Sequence, residues 1–202
     1  MAPADRPERL THRIRVRGVR LRALARARQF ARARRGAVSV EFAFVSVPFL
    51  LLIFATIELG LVFLVSLTLE NAVIDVGRTI RTGEAQQANR TATAFKTAVC
   101  TEMTWLASSC DAALSIDVRT FTGFSASGSA MSAARPRTPC WDPGGPGSIV
   151  LIRAYYNWPL ITPLLQTGLQ TSNGRRMLTA ATAFANEPYS DTAAAAVTCP
   201  TN

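Results

Sequence analysis

From Ala37 to Leu69 the chain reads AVSVEFAFVSVPFLLLIFATIELGLVFLVSLTL, and in those 33 residues only Glu41 and Glu58 carry charge. At a rise of ~1.5 Å per residue a helix of this length is ~50 Å long, whereas the hydrocarbon of a bilayer is ~30 Å thick and is crossed by ~20 apolar residues. A membrane-spanning segment is therefore the first reading. A span that starts near Ala37 reaches the opposite interface close to Glu58.

Charge sorts the rest of the chain by side. The formal net charge is +9, yet residues 1–35 hold twelve arginines against Asp5 and Glu8, which leaves ten basic and eleven acidic residues for everything that follows. All the net basicity is in the leader. By the positive-inside rule such a block before an apolar span keeps the amino end cytoplasmic and places residues 70–202 outside, the expectation for a single-pass protein of the inner (cytoplasmic) membrane. The stretch RVRGVRLRALARARQFARAR also suits a basic amphipathic helix lying on anionic lipid. Nucleic acid is not an expected partner, because the basicity ends where the apolar run begins and no recognition motif accompanies it.

The leader is unlike a secretory signal peptide. Its positive region is long, its apolar region is about twice the usual ~7–15 residues, and no small-x-small site with a polar start follows it. Instead Arg34-Arg35-Gly36 meets Ala37-Val38-Ser39-Val40-Glu41-Phe42, a glycine-ended basic leader and then an apolar helix with a glutamate fifth, the pattern of a type IV prepilin. With RRGAVSVEFAFVSVPFLLLIFATIELGLVF, TLENAVIDVGRTIRTG and NEPY near the carboxyl end, the chain resembles the TadE-like pilus assembly proteins, minor pilin-like components of the Tad (Flp) pilus and secretion system. The resemblance implies cleavage between Gly36 and Ala37 by a prepilin peptidase, and assembly with other pilin-like subunits in adhesion and biofilm formation, in the membrane or in the pilus itself. It also implies that Glu41 meets the freed amine of a neighbouring Ala37, and that Phe42, where the major Flp pilins carry tyrosine, marks a minor component.

The junction residues make physical sense in those roles. Gly36 lets an extended backbone enter a protease cleft and discourages helix. Glu41 in a bilayer costs ~2.5–3.5 kcal/mol, and an intramembrane carboxylate is a functional-site candidate unless it lies hydrated among the headgroups. Glu58 lies ~25 Å further along the helix, where water is expected to solvate it and a partner contact is open to it. Pro48 removes one helical hydrogen bond and is expected to kink the helix. Thr56 and Gly60 form a small-xxx-small pair of the kind that lets helices approach, although such pairs also arise by chance.

Beyond the span, residues 70–110 repeat apolar positions at three- and four-residue steps: Val73, Ile74, Val76 and Ile80, then Phe95, Val99, Met103 and Leu106. This predicts helix, with Gly83 as a break. Over residues 111–202 the period changes to two. Leu114–Phe121 alternates as a strand, Ser148–Trp158 reads as a more buried strand, and Arg176–Asn186 reads as a strand whose alanines also permit helix. Gly123–Gly147 reads as a long exposed loop. PLITPLL reads as a short turn limited by its prolines. The expected fold class is α+β: residues 1–36 a leader, 37–69 a membrane helix, 70–110 an extracytoplasmic helical region, and 111–202 a small domain with a short antiparallel sheet.

Four cysteines, Cys100, Cys110, Cys140 and Cys199, fall on the outward side, where two disulfides are the simplest outcome. Of three connectivities, Cys100 with Cys110 and Cys140 with Cys199 are favoured. No CxxC spacing suggests a metal or redox site, and no cofactor is expected. The single histidine, His12, is in the leader, and Asp142–Gly147 lacks the Lys and Ser/Thr of a phosphate loop, so no enzyme is expected. In the alternating strand one of Tyr155 and Tyr156 faces inward, with the other left open. Two functions remain: a pilin-like assembly component, or an uncleaved single-pass anchor that carries an extracytoplasmic binding domain. Gly36 with Glu41 at fixed spacing favours the first.

Overall fold

A computed structural model describes residues 36–190, 197, 199 and 200. The leader through Arg35, with the lipid contact and sidedness expected of its arginines, lies outside the described residues. The chain divides into two units, Met1–Leu52 and Ile53–Asn202.

Helix α1 runs without interruption from Ala37 to Arg81, through Pro48. Among the described residues it is one helix long and apolar enough to cross a membrane. In the first unit its large side chains, Val38, Phe42, Phe44 and Phe49 among them, are exposed all round the helix. A helix apolar on every side is covered by lipid or by other protein, since water alone leaves its apolar area unburied.

In the second unit α1 acquires one buried face. Val65, Leu69, Ala72, Val73, Val76 and Ile80 recur at helical steps and enter the core. The helix stops after Arg81 at Gly83, whose φ is 83° and whose Cβ, if present, would lie 2.4 Å from the Tyr189 ring. Only glycine takes that left-handed conformation without steric cost and admits the ring. A short α2 (Glu84–Gln87) leads to α3 (Ala92–Glu102), which Thr91 caps by accepting a hydrogen bond from the Ala94 amide at 3.2 Å. A 3-10 turn (Thr104–Leu106) and α4 (Ala107–Ala113) follow.

The chain then builds β1 (Leu114–Phe121), α5 (Phe124–Met131), β2 (Ile149–Pro159), α6 (Pro163–Leu169) and β3 (Arg175–Ala185). Among the described residues the strands form one antiparallel sheet in the order β1-β2-β3, with Leu114 opposite Tyr156 and Ile149 opposite Ala185. The fold class is α+β, as the change of period implied. Pleating sends Val118, Val150, Ile152, Ala154, Tyr156 and Leu178 towards α1 and α3, where they pack with Phe95, Val99 and Met103. At Gly77 the helix comes close to the sheet, since a Cβ there would be 3.0 Å from Ile152 Cδ1.

Two expectations about local structure are refined. The segment expected at Arg176–Asn186 is strand over Arg175–Ala185, because its alternate residues Leu178 and Ala180 are needed on the core face. The region expected as a loop, Gly123–Gly147, contains α5, which covers the sheet face opposite α1 and whose Ala130 carbonyl accepts a bond from Arg153 at 2.9 Å. The helix has no strong local signal; it exists because that sheet face has to be covered.

Candidate functional site

The junction residues lie at the start of α1. Gly36 is exposed, and a Cβ on it would meet nothing within 4 Å. Glu41 and Phe42 are exposed, and Glu41 has no hydrogen bond or ion pair among the described residues.

Glu58 is in a different situation from the one expected. Instead of meeting water it is 4% exposed, and its carboxylate accepts hydrogen bonds from two successive backbone amides of its own chain, Ile161 N and Thr162 N, the latter at 2.7 Å. Those amides precede α6, in the PLITPLL stretch whose Pro163 sits at the first turn. The reason is steric and electrostatic together. The loop leaving β2 crosses α1 here, Leu160 is fixed by a 2.9 Å bond from its amide to the Gly174 carbonyl, and the two amides that remain are satisfied by the only carboxylate on that stretch of helix.

Glu58 thus marks one end of the domain, and NEPY marks the other. Asn186 Nδ2 donates to the carbonyls of Pro143 (2.9 Å) and Gly145 (3.0 Å), Gln86 Nε2 donates to Pro143 and Gly144, and the Tyr189 hydroxyl donates to Gly144 at 3.3 Å. Glu187 donates its amide to the Arg81 carbonyl and pairs with the Arg81 guanidinium at 3.2 Å. The glycine-rich Asp142–Gly147 segment is therefore a turn clamped by side chains. Its carbonyls face inward as acceptors, the opposite of a phosphate cradle.

A third polar centre escaped the sequence reading. On the sheet face opposite α1, Asp117 (1% exposed) accepts from Arg153 Nη2 at 2.7 Å, from Arg119 Nε at 3.0 Å and from the Cys140 amide at 2.9 Å. Arg119 also donates to the carbonyls of Thr138 and Pro200. The signal was present: an arginine inside the apolar strand IVLIRAYY demands a buried partner, and Asp117 is opposite Arg153 in the register. Beside it Tyr155 is buried with the Arg135 guanidinium 5.7 Å from its ring centre, while Tyr156 is buried on the other face with its hydroxyl 3.3 Å from Ser109 Oγ. Both tyrosines are core. Burial raises the Tyr155 phenol above its ordinary value, an effect that the Asp117 charge adds to and the nearby arginines oppose.

Disulfides join Cys100 to Cys110 and Cys140 to Cys199. The first ties α3 to α4. The second ties the carboxyl-terminal tail to the segment that covers Asp117. Among the described residues no group of three or more His, Cys, Asp or Glu is placed to hold a metal ion.

These features define a class: a single long apolar helix, suited to a single-pass membrane anchor, whose second half is built into a small disulfide-bonded α+β domain. Within that class, residues 36–78, about a fifth of the chain, match the model of the TadE-like protein family. The match starts at Gly36 and includes Glu41, Phe42 and Glu58, in agreement with the resemblance carried by those motifs. No curated protein and no solved structure matches the chain.

Proposed function

We propose that this chain is a single-pass membrane protein and a pilin-like structural component of a Tad-type pilus or secretion system. A prepilin peptidase cuts between Gly36 and Ala37 on the cytoplasmic side of the inner membrane, and the α+β domain stands on the other side. The family match over residues 36–78 carries this reading, because it begins at the proposed cleavage site.

Two features support it. The fold itself places no demand on Gly36, where a side chain would meet nothing. Its smallness therefore answers to something outside the chain, and a protease cleft that grips backbone closely is such a thing. Glu41 is the second feature. A carboxylate on an apolar helix with no partner among the described residues is costly in lipid. The amine released at Ala37 of a neighbouring subunit neutralises it, and the exposed Phe42 and Phe44 supply apolar surface for the same contact. Glu58, held by its own domain, is not assigned a subunit contact. The reading is structural throughout: no catalytic step and no cofactor enter it, and adhesion follows from the assembled fibre.

The test is the amino-terminal sequence of the mature protein from a membrane fraction. It begins Ala-Val-Ser-Val-Glu if the reading holds, and Gly36→Phe leaves a longer, unprocessed form. Protein that still carries the arginine leader in cells with an active peptidase refutes the cleavage mechanism and leaves the uncleaved anchor.

A further inference from the structure

We propose that the Glu58 end of the domain is seated in the headgroup layer of an anionic bilayer, with the loop before α6 dipping to the hydrocarbon boundary; this rests on the single-pass reading above. Direction comes first. Glu58 meets Thr162, Gly77 faces Ile152 and Phe184, and Arg81 meets Glu187, so α1 runs alongside β3 in the same direction and the 160–163 loop is at the end nearer the span.

That end has the composition of a membrane interface. Ile161, next to the amides that hold Glu58, is 75% exposed. The exposed face of α1 stays apolar past Glu58, with Phe63 70% exposed and Leu67 also exposed. At ~1.5 Å per residue Phe63 lies ~8 Å beyond Glu58, within reach of a headgroup layer, and Leu67, ~14 Å beyond, stands outside it. Roughly 10 Å from Ile161 along β2 lies Trp158, with half-exposed Trp105 at 6.5 Å between ring centres. Opposite Trp158 and Pro159 in the register are Arg176 and Arg175. The order along the axis is apolar, then tryptophan and arginine, and with a headgroup region ~5–8 Å deep on each side of a bilayer this puts Trp158 and the arginines at its outer edge when Ile161 reaches the hydrocarbon boundary.

The same placement accounts for Glu58. At the fringe of hydrocarbon a carboxylate and two amides must be satisfied within the protein, and here they satisfy one another behind Ile161. Anionic phospholipid is the occupant because the surface is continuous with the spanning helix and its exposed charge is Arg175.

The experiment uses the full chain in vesicles of phosphatidylglycerol and phosphatidylcholine whose acyl chains are brominated either near the headgroup or near the methyl end. Flotation after an alkaline carbonate wash reports insertion independently. Shallow bromines are expected to quench tryptophan more than deep ones. Trp105→Phe lowers the quenched emission and leaves the part due to Trp158, whereas Trp141, which belongs to the far end beside Arg90 and Phe95, stays unquenched throughout. Ile161→Asp lowers quenching with folding intact, and Arg175→Gln lowers the ratio of seated to unseated domain about fivefold at low salt. Protein that floats with emission untouched by either lipid overturns this inference while the anchor stands, and assigns the surface to a protein neighbour. Protein that does not float overturns both.

Discussion

Replacing Glu58 by alanine isolates the contact on which the 160–169 segment depends. The carboxylate takes the Ile161 and Thr162 amides, and Thr162 is buried, so no water is positioned to replace it. A hydrogen bond to a charged group contributes ~1.5–3 kcal/mol. Loss of two therefore weakens the closed segment by at least about 3 kcal/mol, roughly a hundredfold in its opening equilibrium. Glutamine offers one carbonyl oxygen and turns its NH2 towards the other amide, so Glu58→Gln should lose at least half of that, about tenfold. Hydrogen exchange of the peptide that spans 158–169, read by mass spectrometry in detergent or nanodiscs, measures the opening. Exchange in β2 serves as the internal control, since its amides are held by both neighbouring strands. Glu41→Ala should leave the segment unchanged. If Glu58→Ala exchanges within twofold of the native protein over 160–169, the carboxylate does not hold the loop and the argument for its depth in the membrane goes with it.

Other perturbations test the domain. Asp117→Ala leaves Arg153, only 2% exposed, with one carbonyl partner, and should destabilise by about 3–5 kcal/mol, lowering Tm by roughly 10 °C; the pair Asp117→Leu with Arg153→Met should recover most of this. Because the folded state keeps Tyr155 protonated above its ordinary value of 10.0, its contribution is intact below that pH and is lost as pH rises through the higher folded value. The unfolding free energy from denaturant titrations should therefore fall above about pH 10 by up to ~1.4 kcal/mol per pH unit, and less so in Tyr155→Phe. Gly83→Ala should cost ~1–2 kcal/mol for the left-handed backbone and more for displacing the Tyr189 ring, visible as a lower Tm and faster exchange in the clamped 143–147 turn. Reduction of Cys140–Cys199 should loosen the cover over Asp117 and increase proteolysis near Thr138, with α1 unaffected.

Much of the fold was legible because it depends on local chemistry. An apolar run of 33 residues with two charges specifies a long helix, the steps at Val73, Val76 and Ile80 specify its buried face although Ile74, read with them, is exposed, and alternation from Leu114 to Phe121 specifies a strand. Each follows from the period of one backbone conformation and needs no knowledge of what lies opposite. The break at Gly83 is local in the same sense, since a glycine in a left-handed conformation ends a helix by itself.

Only the tertiary structure decided what those faces meet. Glu58 read as a solvated charge because its partners are 103 and 104 residues away and are backbone amides, which every residue but proline carries and no motif advertises. Asp117 and Arg153 each looked like a polar residue on a strand until the register set them opposite one another in the dry face beneath α5. A period tells which side of an element is apolar or charged; which side chain or amide completes it depends on how loops close over tens of residues, and that information is spread across the whole chain.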